Sequence, residues 1–156
     1  MIRPFRDGWI SFLSAAGGEA VSDEYRGGCL CGQVRWEAEA APLFQGYCCC
    51  ADCRRASGSG FAPFMVFEAA RVRFDGEARQ FRCASIRGSE AVRNFCGACG
   101  GLVFGGAPGV DERHTIYAGS LDDPSLFAPT LAIFTRERPA WVVLPPGLKE
   151  WETMPG

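Results

Sequence analysis

Histidine is almost missing: His114 is the only one in 156 residues. That excludes a His-Glu-x-x-His metalloprotease helix and the His-x-Glu pairing of a zinc deaminase. Long apolar runs are also missing. None approaches the ~20 residues that cross a bilayer, so no membrane partner is expected. There is no excess of positive charge either. The net charge is -2, and no basic-aromatic run occurs, so nucleic acid is not an expected partner. The first 20 residues carry Arg3 and Arg6 ahead of Trp9, Ile10 and Leu13, a faint likeness to a secretory signal. The apolar stretch is short, interrupted by Ser11 and preceded by Asp7. Residues 1–24 are therefore expected to be a tail or an added edge strand, and 25–156 a single domain of ordinary size.

Cysteine is abundant instead, with nine residues. An odd number cannot all pair within one chain, and the close spacing favours metal binding over disulfides. Free thiols imply a reducing compartment, here the cytoplasm.

The remaining pattern is strand-rich. Gln33 to Glu39 alternates polar and apolar residues, the period of a half-buried strand. Phe61 to Phe67 reads as a buried strand. Val72–Phe74 and Gln80–Arg82 flank Asp75-Gly76-Glu77, which predicts a hairpin. Short strands are also expected at 91–95, 102–104, 114–118, 131–134 and 141–144. Helix is sparse: one or two turns over Asp52–Ser57, and a short helix or turn at Asp122-Asp123-Pro124. Twenty glycines and ten prolines suit many turns. The class is mainly β.

Two cysteine constellations stand out. Cys29 and Cys31 lie in Gly28-Cys29-Leu30-Cys31-Gly32, and Cys96 and Cys99 in Cys96-Gly97-Ala98-Cys99-Gly100. Each is a tight turn between strands, with glycines that let backbone N–H groups face the sulfurs. Together they supply the four ligands of a closed structural zinc site. The second constellation is Cys48-Cys49-Cys50-Ala51-Asp52-Cys53. If the first part is extended, Cys48 and Cys50 share a face and Cys49 takes the other. Cys53 then swings back from the following turn, giving three thiolates and one open position, the pattern of a reactive zinc site. If that backbone bends, Cys49 becomes a fourth ligand and the site is closed. Two zinc ions per chain are expected. Zinc with three thiolates carries about one negative charge, which suits holding a substrate thiolate more than activating water. Cys83 stands alone and reads as a small buried apolar group. His114 reads as a surface strand residue.

Taken together, Gly27-Gly28-Cys29-Leu30-Cys31-Gly32, Cys48 to Gly58, Arg93 to Gly100 and Ala118 to Pro124 resemble the family of glutathione-dependent formaldehyde-activating enzymes, the group that includes the centromere protein V family. The resemblance runs from about residue 25 to residue 152. It implies the Mss4-like fold, several small antiparallel sheets around zinc. It implies a structural zinc on Cys29, Cys31, Cys96 and Cys99, and a second on Cys48, Cys50 and Cys53 near bound glutathione. The implied activity is that of a carbon–sulfur lyase making or cleaving the adduct of glutathione, or a similar thiol, with formaldehyde or another small aldehyde. The alternative is a non-catalytic zinc module that carries glutathione or binds a protein partner. Two departures bear on this. The family usually has histidine where this chain has Cys49, and often near the late strand where it has Ala132. Arg54 and Arg55 match carboxylate geometry and are candidates for binding the thiol compound, with Ser57 and Gly58 beside them. Phe61, Phe64 and Trp141 are candidate pocket walls.

Overall fold

Short runs of β-branched and aromatic residues, cut by glycine and proline, leave little room for helix. The computed structural model describes residues 24–85 and 88–155. The expected tail, 1–24, lies outside the described residues except for Glu24. The strands are β1 (Tyr25–Gly28), β2 (Arg35–Ala38), β3 (Phe44–Cys48), β4 (Ala62–Glu68), β5 (Val72–Asp75), β6 (Ala78–Ala84), β7 (Glu90–Cys96), β8 (Leu102–Gly105), β9 (Arg113–Tyr117), β10 (Leu131–Ile133) and β11 (Lys149–Glu150). One α-helix, α1 (Ala51–Ser57), follows β3. The short helical turn expected after Asp123 is a 3₁₀ turn over Pro124–Leu126, and the Asp123 carboxylate accepts a hydrogen bond from the Ser125 N–H at 2.9 Å.

The protein is mainly β, with more than one sheet and little helix. A three-stranded sheet runs β1-β2-β5, and an eight-stranded sheet runs β11-β10-β3-β4-β9-β8-β7-β6. Pairings are antiparallel except around β10, which is parallel to both β3 and β11. The main core lies where the small sheet covers one face of the large one. Tyr25 and Trp36 meet Met65, Phe67, Phe104 and Ile116 there. Each such side chain stabilises by about 1.5–3 kcal/mol when fully buried. The Trp36 indole N–H is satisfied by the Ser120 hydroxyl at 3.0 Å. Two smaller clusters sit on either side of the β3–β10 pair.

Three expectations need correction. Asp75-Gly76-Glu77 does not close a hairpin, because β5 pairs with β2 and β6 with β7. Trp36 and Phe74 are cross-strand partners, and Phe74 stacks on Phe104 at 3.8 Å. Burying that pair ties β5 to the small sheet. Gly76, at φ 82°, then turns the chain out toward the large sheet. A side chain there would collide with the Gln33 carbonyl. Residues 141–144 are not a strand. Val142 closes a turn onto the Pro139 carbonyl at 2.9 Å, and prolines at 139, 145 and 146 remove the donors a ladder needs. His114 is not on the surface. It is buried in β9, edge-on to the stacked Phe74–Phe104 pair, with no partner for Nδ1.

Candidate metal centres

The first group is built by two copies of one turn. At the end of β1, Cys29 N–H donates to the Val34 carbonyl (2.9 Å) and Gly32 N–H to the Cys29 carbonyl (3.1 Å). At the end of β7, Cys96 N–H donates to the Gly101 carbonyl and Gly100 N–H to the Cys96 carbonyl, both at 2.9 Å. Gly32 (φ 77°) and Gly100 (φ 72°) adopt the left-handed conformation that lets each turn close. The Val34 N–H then points at Cys29 Sγ, 3.3 Å away. All four sulfurs lie within 4.8 Å of one another, with Cys31 Sγ 3.6 Å from both Cys29 Sγ and Cys96 Sγ. A tetrahedral zinc with ~2.3 Å bonds would place its sulfurs ~3.8 Å apart, so the donor set fits that ion. Burial disfavours the Cys99 thiolate. The N–H groups of Gly101 and Cys31 and the thiols of Cys31 and Cys96 outweigh it and bring Cys99 down to about 6.

The second group spans a strand end and a helix start. Cys48 ends β3, opposite Ala62 of β4 and Ile133 of β10. Cys50 is the N-cap of α1, where its sulfur accepts the Cys53 N–H at 3.3 Å. Glu137 accepts the adjacent Ala51 N–H at 2.8 Å and pins the helix start. The three sulfurs lie within 4.8 Å of one another. They are packed with Phe64, Val66, Ile133 and Phe134. The thiols of Cys48 and Cys53, and the N–H groups of Cys53 and Asp52, hold Cys50 down to about 2 against burial. Of the three, Cys50 is the sulfur that ionises first, and the same contacts push the Cys48 and Cys53 thiols up.

Cys49 is not in this group. Its side chain is fully buried on the opposite side of β3, with Ala132, Val142 and Leu144. Burial pushes its thiol up. The two positions at which the resemblance leads one to expect histidine are thus members of the same apolar cluster.

The other predicted site residues are scattered. Arg54 spends its Nε on the Cys49 carbonyl (3.2 Å), and Arg55 is exposed one residue on. Ser57 Oγ donates within its own turn to the Arg54 and Phe61 carbonyls. Gly58 is the exposed helix C-cap. Phe64 shares the cluster of Cys48 and Cys50, whereas Phe61 packs with Tyr47 on the Cys49 side. Trp141 is 73% exposed and lies over Gly60. Cys83 is half-buried and accepts a hydrogen bond from Arg93 at 3.3 Å, so it is not a purely apolar filler. A surface concavity of about 480 Å³ beside Glu68 and Arg113 has no cysteine in its lining.

Sequence reasoning missed Phe134, Arg93 and Tyr117 as neighbours of the second group. Phe134 is the one non-glycine residue with positive φ (55°) among those described, and it is buried beside the cysteines. Such a conformation is costly for a bulky residue and marks a locally imposed geometry. Arg93 and Tyr117 reach the group through strand pairings that no local pattern encodes.

A mainly β frame with two all-cysteine groups that could hold metal defines this as a β protein with candidate metal centres. The chain belongs to the family of glutathione-dependent formaldehyde-activating enzymes, whose model matches residues 24–137. A solved structure of a Rhodobacter sphaeroides protein matches 62% of this chain and 87% of that chain, at 23% identity and a TM-score of 0.49. No curated protein matches. Among the described residues, no helix is long and apolar enough to cross a membrane.

Proposed function

We propose that the protein is a cytoplasmic, zinc-dependent carbon–sulfur lyase whose single domain, 25–156, acts on the adduct of glutathione or a similar thiol with formaldehyde or another small aldehyde. The observation that carries this reading is the geometry of Cys48, Cys50 and Cys53: three converging sulfurs, with Cys49 turned away. These three would hold one zinc with an open position, and Cys29, Cys31, Cys96 and Cys99 a second, structural one. When bound, zinc at the three-cysteine site would favour the ionised form of a thiol placed in the open position. Phe64, Ile133 and Phe134 keep that side of the site apolar, which limits water at the sulfurs. In adduct formation the thiol sulfur bonds to the aldehyde carbon, the C=O π bond breaks, and the thiol's proton ends on the oxygen. Cleavage reverses each change. The exposed Arg55, the free guanidinium nitrogens of Arg54, and Ser57 with Gly58 are assigned to the carboxylate end of the thiol compound.

The test is exchange between free formaldehyde and its glutathione adduct, followed by NMR with zinc-loaded protein. Exchange faster than the uncatalysed rate, lost in Cys50→Ser, is expected. Exchange at the uncatalysed rate with fully zinc-loaded protein would overturn the enzyme reading. One observation favours a second reading, a thiol carrier without chemistry: Cys49 and Ala132 stand at the two positions where the resemblance leads one to expect histidine. Saturable glutathione binding without rate enhancement would select it.

A further inference from the structure

Arg93 and Tyr117 stand on the same face of the large sheet as Cys48. Arg93 pairs with Gly105 across β7–β8, and Gly105 with Thr115 across β8–β9. Tyr117 is two residues from Thr115, hence on the same face, and opposite Phe64 of the cysteine cluster. A side-chain carbon at Gly105 would lie 3.7 Å from the Tyr117 hydroxyl. The Tyr117 hydroxyl thus reaches over Gly105, which carries no side chain. The two groups sit beside one another, and both are near Cys53.

The chemistry of this spot is one-sided. A guanidinium has five donors and no acceptor. One nitrogen of Arg93 donates to Cys83 Sγ, a weak acceptor. Its Nε is buried without a partner. Among the described residues no carboxylate is within ion-pair reach of it. Tyr117 can accept from the guanidinium but cannot give its own proton to a group with no lone pair. Buried donors are nearly always satisfied in folded proteins. The partnerless Arg93 Nε–H therefore specifies what is missing, an acceptor oxygen, and negative charge on that oxygen suits the guanidinium.

We infer that Arg93 and Tyr117 form a subsite for an anionic or strongly polarised oxygen of the ligand held at the three-cysteine centre. The inference rests on the thiol-binding reading. Two sources supply that chemistry: the aldehyde-derived oxygen of the adduct, and a carboxylate of the thiol compound.

Two readouts separate this claim from the reading beneath it. In cobalt-substituted protein, the sulfur-to-metal absorption reports whether a thiol enters the metal centre. In zinc-loaded protein, the Arg93 Nε–H resonance, assigned by its loss in Arg93→Lys, reports the subsite. The probes are cysteamine, cysteamine with formaldehyde, glutathione, and acetate as an oxygen anion without a thiol. Acetate is expected to move the Arg93 signal, and Tyr117→Phe to weaken that response at least tenfold. Cysteamine alone should bind Tyr117→Phe within twofold of wild type. A tenfold loss with cysteamine plus formaldehyde assigns the subsite to the adduct oxygen, and a loss confined to glutathione assigns it to a carboxylate. An Arg93 signal unmoved by every probe overturns the subsite, as does an equal loss for all probes including cysteamine alone. If acetate moves Arg93 but no thiol changes the cobalt spectrum, the donor pair stands and the thiol reading falls.

Discussion

Cys49 and Cys50 are adjacent in the chain, yet burial raises one thiol while hydrogen bonds lower the other. Strand alternation accounts for this, since one residue's step moves a side chain to the other face. His114 shows the same dependence on surroundings. Burial lowers its affinity for a proton, with the Gly105 backbone partly offsetting this. The unfolded chain, with an ordinary histidine near ~6.5, then binds a proton that the folded chain refuses. The stability contributed is complete above that value and falls as pH drops below it, through the depressed folded value. Urea unfolding at pH 7.5 and 5.5, with zinc saturating, should show a larger loss for wild type than for His114→Phe. Equal losses would mean that His114 is accessible to protons in the fold. The alternation of Cys48, Cys49 and Cys50 was readable from the sequence. The burial of His114 was not, because it depends on Phe74 reaching over from the other sheet.

Among the elements, the two cysteine turns were the most readable, since spacing and flanking glycines suffice to define them. The β3–β10 pair was not. Parallel pairing joins segments more than 80 residues apart, and no short-range pattern announces it. Gly46 is the contact that makes it possible, because a side chain there would strike the Leu131 carbonyl and side chain. Alanine in place of a strand glycine normally helps modestly. Here the obstruction includes backbone, so Gly46→Ala should cost about 1–3 kcal/mol, as overpacking does. Because β10 carries Ile133 and leads into Phe134 beside the three cysteines, the same variant should weaken any metal binding by Cys48, Cys50 and Cys53. Denaturant unfolding combined with metal retention during dialysis checks both. A neutral or stabilising effect would show that β10 does not sit tightly on β3. The predicted hairpin at Gly76 failed for a related reason: local turn chemistry fixes where the chain bends, but not which strand it then meets.

For the whole molecule, the four-cysteine group ties the β1–β2 turn of the small sheet to the β7–β8 turn of the large one. The three-cysteine group lies on the far side of the large sheet, under α1. Mainly β class, many short strands and two separate thiol groups followed from the sequence. The division into three and eight strands, and the meeting of Arg93 and Tyr117 near Cys53, required the assembled sheet. The central claim is that these groups are two independent zinc sites, the second using Cys48, Cys50 and Cys53 without Cys49. Zinc per chain, measured by elemental analysis on wild type, Cys31→Ser, Cys53→Ser and Cys49→Ala purified without chelators, tests it most directly. Two, one, one and two are predicted in that order; a wild type with one zinc or none, or a Cys49→Ala protein that has lost one, would contradict the claim.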